Sequence, residues 1–128
     1  MNFNGILIGS EDPKRLTDYY RKVLGEPIYE GEGYTVWQIG SGSVSIGPHS
    51  EVHGKNAHPG RILWNIESDD VKADFDRFKA AGAIVVKEPY NFEEVGSPDA
   101  WVATFADPDD NYFQLTSPFN DETMGSGG

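Results

Sequence analysis

The sequence predicts an α+β domain built from two β-α-β-β-β units in tandem. Three observations carry this expectation. Short apolar runs at 5–10 and 61–67 are each followed at once by acidic capping residues and an amphipathic stretch. Gly25 and Gly82 close those two stretches. Three further strand-length runs then follow in each half.

In the first half, Gly5-Ile6-Leu7-Ile8-Gly9-Ser10 is short enough for a strand. Asp12-Pro13 starts a helix, with a capping carboxylate ahead of a proline at the first helical position. Leu16, Tyr19, Tyr20, Val23 and Leu24 recur at helical spacing and form one buried stripe. Gly25 is expected to stop that helix in a left-handed cap. Strands are expected at 27–30, 34–39 and 43–47, separated by glycine-containing turns.

The second half repeats the order. A strand at 61–67 leads to the capping groups Ser68-Asp69-Asp70, and Val71, Phe75 and Phe78 share one helical face. Strands are expected at 84–87, 101–105 and 112–116. The repeat is one of pattern more than of letters, and each half leaves a sheet face that the other must cover. One domain is therefore expected over 1–118, with modules of about 1–50 and 60–118 joined by a connector at 48–60. The irregular stretch 88–99 is long enough to suggest a functional loop, and 119–128 should be a flexible tail.

A chain of 128 residues, 38% hydrophobic, can bury the core of one domain. Its net charge of -11 argues against nucleic acid and anionic membrane surfaces, which need lysine and arginine. The same field would favour a cationic ligand. With no cysteine, disulfides and thiolate metal sites are excluded. No apolar run approaches the ~20 residues needed to cross a bilayer, and the first residues lack a basic, then apolar, leader. A soluble, cytoplasmic protein is expected. No Ser-His-Asp or Cys-His pattern supports nucleophilic catalysis.

Three stretches resemble one known family. Asp12 to Gly25, with its Tyr19-Tyr20 pair and Val23-Leu24-Gly25 ending, is similar to the D-L-x-x-x-x-x-F-Y-x-x-x-L-G helix of the glyoxalase/bleomycin-resistance protein/extradiol dioxygenase superfamily, the vicinal oxygen chelate proteins. Asp69-Asp70-Val71 through Ala80-Ala81-Gly82-Ala83 resembles its second helix. Phe105-Ala106-Asp107-Pro108-Asp109-Asp110-Asn111-Tyr112-Phe113-Gln114-Leu115 resembles its F-x-D-P-D-G-N-x-x-E-L motif, with Asp110 where the family usually has glycine. That motif is first of all a tight turn, in which proline fixes φ and Asp or Asn tolerates left-handed backbone. The resemblance covers nearly the whole chain. It implies a curved mixed sheet around a U-shaped cavity, small-molecule chemistry and a homodimer.

Members of the superfamily typically hold one divalent metal with histidine and glutamate side chains on strand faces. Carried over by counting from the helix starts and the final turn, those positions fall on Gly5, Ser45, Leu63 and Gln114. Glycine has no side chain, leucine no lone pair, and serine and glutamine are weak neutral donors. No family-type metal site and no cofactor are therefore expected. His49, His53 and His58 all fall in the connector. They read as solvent-exposed, because a Gly/Pro-rich loop gives a metal little rigid support.

Strand alternation sorts the remaining side chains. Ile6, Ile8, Trp64, Ile66, Phe113 and Leu115 should pack toward the helices. Leu7, Leu63, Asn65, Glu67, Tyr112 and Gln114 should face the cavity with Ser45 opposite. Trp37 and Trp101 sit on cavity-forming strands, where a register slip of one residue would reverse them. Aromatic walls with a few uncharged polar groups suit a small organic ligand, cationic or aromatic. The favoured reading is a metal-independent binding protein similar to the bleomycin-resistance branch. The alternative is a glyoxalase-like lyase or isomerase with an unconventional site, for which Glu67 is the weak candidate base.

Overall fold

A computed structural model describes residues 1–91 and 100–118. The two halves form the same unit twice. The first contains β1 (Gly5–Ser10), α1 (Pro13–Leu24), β2 (Tyr29–Gly31), β3 (Tyr34–Ile39) and β4 (Gly42–Pro48). The second contains β5 (Leu63–Glu67), α2 (Val71–Ala80), β6 (Ile84–Asn91), β7 (Trp101–Ala106) and β8 (Tyr112–Thr116). The strand orders are β1-β4-β3-β2 and β5-β8-β7-β6. In each sheet the first strand pairs in parallel with the last, and the other neighbours are antiparallel. The parallel pair needs a crossover, and the helix supplies it.

The helix starts are near copies. The Asp12 carboxylate accepts from the Arg15 N–H at 3.3 Å, and Asp70 accepts from the Ala73 N–H at 3.0 Å. Two residues before each cap, a serine hydroxyl accepts the cap's own N–H: Ser10 for Asp12 at 3.0 Å and Ser68 for Asp70 at 3.1 Å. The repeated Ser-x-Asp is thus a letter-level signature of the duplication. The end of α1 is set by Gly25 at φ 91°, where its N–H reaches Arg21 O and its carbonyl receives the Trp37 indole N–H at 2.8 Å. Between β2 and β3, Glu32 and Gly33 both have positive φ, the backbone of a tight two-residue hairpin.

Several boundaries differ from expectation. The strand expected at 61–67 begins only at Leu63, because Pro59–Arg61 forms a turn of 3-10 helix, with the Arg61 N–H on His58 O. The second strand is shorter and later than 27–30. The irregular stretch expected from 88 is strand as far as Asn91. Pro89 is tolerated there because β6 is the outer strand of its sheet, and the ladder to β7 shifts register around it. The rest of that stretch, 92–99, and the tail expected at 119–128 lie outside the described residues. No described helix is long and apolar enough to cross a membrane.

The cores of the two halves are continuous. α1 packs on β1 and β4, α2 packs on β6, β7 and β8, and Tyr20 lies between them. Its ring is 6.2 Å from Trp37, 6.0 Å from Trp64 and 5.6 Å from Phe113. Polar groups hold the same seam. The Tyr20 hydroxyl donates to Asp107 at 2.7 Å, and the Tyr19 hydroxyl donates to Ala106 O while accepting from the Ile84 N–H. Asp109 accepts from Ser10 at 2.6 Å and Arg15 at 2.8 Å. The Asp107–Asn111 turn of the second module therefore grips the helix of the first.

Candidate functional site

β1 and β5 are edge strands of their sheets, and no ladder joins them. The faces of the sheets turned away from the helices bound an open trough of about 1030 Å³, a volume in the usual range for small-molecule sites. Alternation decides what reaches it. On β1, Ile8 is buried toward α1, so Gly5, Leu7 and Gly9 take the trough side, preceded in the same phase by Phe3. On β5, Trp64 and Ile66 pack against the core, so Leu63, Asn65 and Glu67 line the trough with Ile62 at its edge. The β3–β4 hairpin, Asn56 of the connector, and Asn111 with Tyr112 complete the lining.

Of the residues singled out from sequence, Leu7, Leu63, Asn65, Glu67 and Tyr112 lie together on this lining. Ser45 pairs with Leu7, and Gln114 pairs with Asn65, so both are on the trough side of their sheets but behind its rim. The Gln114 amide donates to Thr104 Oγ1 at 3.0 Å. Trp37 requires a correction. It is only 2% exposed, packed in the core against Tyr20, and its N–H is used by Gly25 O. It pairs with the buried Val44, which fixes its side chain on the helix side. Trp101 does not line the trough either; it is half-buried against the core with the Lys72 ammonium 3.8 Å from its ring.

The ladder tests the four inherited metal positions. Gly5 and Leu63 start the edge strands β1 and β5, and two residues further on Leu7 pairs with Ser45 as Asn65 pairs with Gln114. The four positions are therefore equivalent in pairs, and none carries an imidazole or carboxylate. Gly5 could not be given one cheaply, since a β-carbon there would run into the Ser43 carbonyl oxygen. The residues present do not fit the superfamily's metal. Among the described residues no group of three His, Asp or Glu side chains is placed to hold one. His49, His53 and His58 are exposed, and the His49 Nδ1 accepts the Glu51 N–H.

Phe3, Ile62, Asn56 and Asn111 belong to the trough but were not among the expected site residues. Phe3 continues the alternation of β1 one step beyond its first paired residue, a signal present in the sequence. Asn56 arrives by tertiary contact, its N–H on Asp109 O and its amide nitrogen on Asn111 Oδ1 at 3.2 Å. Asn111 in turn donates to Asp107, whose carboxyl burial pushes above the usual carboxylate range while hydrogen bonds from Tyr20, Asn111 and Asp109 pull it back.

The model of a glyoxalase-like domain matches residues 5–116. Among solved structures, a glyoxalase/bleomycin resistance protein/dioxygenase family enzyme from Burkholderia phytofirmans PsJN is 20% identical, with a TM-score of 0.69, 93% of this chain and 100% of that one covered. A glyoxalase/bleomycin resistance protein from Catenulispora acidiphila DSM 44928 is 21% identical with a TM-score of 0.67, covering 92% and 97%. A lactoylglutathione lyase from Agrobacterium tumefaciens is 17% identical with a TM-score of 0.68, covering 91% and 92%. At these identities the likeness speaks for the fold alone. No curated protein sequence matches the chain. With its paired β-α-β-β-β modules and a family match across nearly its whole length, the chain belongs to the glyoxalase-like domain family of the vicinal oxygen chelate superfamily.

Proposed function

We propose that the protein is a metal-independent binder of a small organic molecule, held in the trough between β1 and β5. The observation that carries this reading is the chemistry of the equivalent strand positions: Gly5, Ser45, Leu63 and Gln114 stand where the superfamily's metal ligands would be. What the trough offers instead is apolar surface from Phe3, Leu7 and Ile62, which are 83%, 57% and 75% exposed, with a few polar groups beside it. Apolar walls with sparse polar groups suit recognition by packing and hydrogen bonding.

Metal titration of the purified protein, with elemental analysis, tests the metal-independent part. No stoichiometric divalent ion is expected, and one tightly bound ion per chain would overturn it. Binding itself is read from Trp64, which borders the trough while its ring packs on Phe113 in the core. Small aromatic ligands should quench its emission, and Trp64→Phe should remove that quench.

A homodimer belongs to the same reading. It is supported by apolar side chains left exposed at the outer strands, Ile28 and Tyr29 by β2 and Ile84 and Val86 on β6. Sedimentation at micromolar concentration should give twice the chain mass; a monomer would refute it.

A further inference from the structure

We propose that the trough takes a short extended peptide, which enters edgewise between β1 and β5 and pairs with the backbone of both. The proposal rests on the ligand-binding reading above and names the class of ligand.

The direction of the strand backbones carries it. Just before β1, the Asn4 carbonyl accepts the Ser43 N–H at 2.9 Å, so Asn4, Ile6 and Ile8 turn their N–H and C=O groups to β4. Gly5, Leu7 and Gly9 then turn theirs the other way, toward β5 across the trough. Just after β5, the Ser68 N–H donates to the Thr116 carbonyl at 2.8 Å, so Trp64, Ile66 and Ser68 face β8. Leu63, Asn65 and Glu67 face β1. Two rows of backbone donors and acceptors thus confront each other. No ladder joins these rows, and no turn, loop or side-chain hydrogen bond among the described residues occupies them.

The space between the rows fits an added strand. Hydrogen-bonded strands lie about 4.8 Å apart, so a strand inserted between two edges needs them roughly 10 Å apart. The Cα atoms of β1 and β5 stay beyond 8 Å over most of the length of the two strands. The cavity also cuts through the plane of the sheets. Leu7 and Leu63 line it from one side of their strands, and Ile6, Ile8, Trp64 and Ile66 line it from the other. A groove resting on one sheet face would be lined by one alternation only. Lining by both belongs to a slot that is open between the edges.

Backbone chemistry then decides the class. Each row repeats at every second residue, and an extended chain presents the same repeat on both of its own edges. The facing stretches 5–9 and 63–67 match a segment of about five residues. Glu67 is the only charged side chain on the lining, so main-chain hydrogen bonds carry the affinity and an uncharged peptide suffices.

The probe is the capped pentapeptide acetyl-Ala-Val-Ala-Val-Ala-amide, with a twin methylated on both valine nitrogens and 2-naphthylmethanol as a non-peptide reference. Each is equilibrated by dialysis with the full chain. The peptide should bind, and the amide protons of Leu7 and Asn65 should exchange more slowly in its presence. The twin loses the two N–H groups that face one edge and should bind about tenfold more weakly. Leu7→Pro removes a slot-facing N–H without touching the β1–β4 ladder, and should weaken the peptide about three- to tenfold. Equal binding of peptide and twin, or unchanged exchange at Leu7 and Asn65, overturns the proposal and leaves the binding reading standing. A peptide that fails to bind at millimolar concentration where 2-naphthylmethanol binds has the same meaning. If neither binds, the binding reading falls and the proposal with it.

Discussion

Across the two modules, Gly5 corresponds to Leu63, Leu7 to Asn65, Gly9 to Glu67 and Ser45 to Gln114. Ladders, crossovers and helix caps are shared, so the backbone presents these pairs alike. The side chains do not follow. The first module's wall is mostly apolar, with Ser41 and Ser43 at its hairpin, and the second supplies the larger polar side chains Asn65, Glu67 and Tyr112. The duplication thus fixes the geometry, while the differences between its copies set the chemistry. In a site with matched donors on both walls a metal could be shared; here the two walls differ in chemistry.

The modules also differ in what holds them together, and that difference can be broken. The β7–β8 turn carries Asp107, fully buried, which accepts from Tyr20 at 2.7 Å, the Asp109 N–H at 2.9 Å and the Asn111 N–H at 3.0 Å. The corresponding turn between β3 and β4 has only Gly40 and Ser41, too short for such a grip. Asp107→Ala strands the Tyr20 hydroxyl and several N–H groups away from water. At about 1–3 kcal/mol for each unsatisfied buried group, partly relieved by rearrangement, a loss of about 3–4 kcal/mol is expected. Urea melts would read it, and Tyr20→Phe in the same background should add less than it does alone. A loss below about 1 kcal/mol would mean that the turn is not what joins the modules.

Much of this architecture is legible in the sequence because its determinants are local. Asp12-Pro13 and Asp70 cap helices through groups three residues away, and 34–39 and 112–116 alternate cleanly enough to give β3 and β8 their observed limits. The same alternation placed Leu63, Asn65 and Glu67 on the trough. It failed where partners are distant. A buried tryptophan that satisfies its N–H on Gly25 O looks, in sequence, like one offered to a ligand, and so Trp37 was misplaced. Pro89 argues against a strand unless its strand is known to be an outer one. Asn56 reaches the trough from an irregular connector, and no periodicity announces it. The tyrosine pair was legible as core, but not as the hydroxyls that tie α1 to the second module.

Those hydroxyls give a smaller and pH-dependent way to sharpen the contrast between seam and trough. Burial pushes the Tyr19 phenol up from 10.0 to about 12, and the Tyr20 phenol rises for the same reason with the Asp107 charge adding to it. A phenol that resists ionisation in the fold contributes stability present in full below its unfolded value. That contribution is lost as pH rises through the folded one. Stability should therefore hold steady up to about pH 9 and fall between 10 and 12 as the unfolded chain ionises first. Tyr19→Phe removes one donor to Ala106 O and one acceptor for the Ile84 N–H. It should cost about 1–2 kcal/mol near neutral pH. The variant should then lose less than the parent between pH 10 and 12, with the remaining fall belonging to Tyr20. Melting curves across that range decide the matter. Parallel curves for the two proteins would show that the Tyr19 hydroxyl is solvated rather than sealed between the modules.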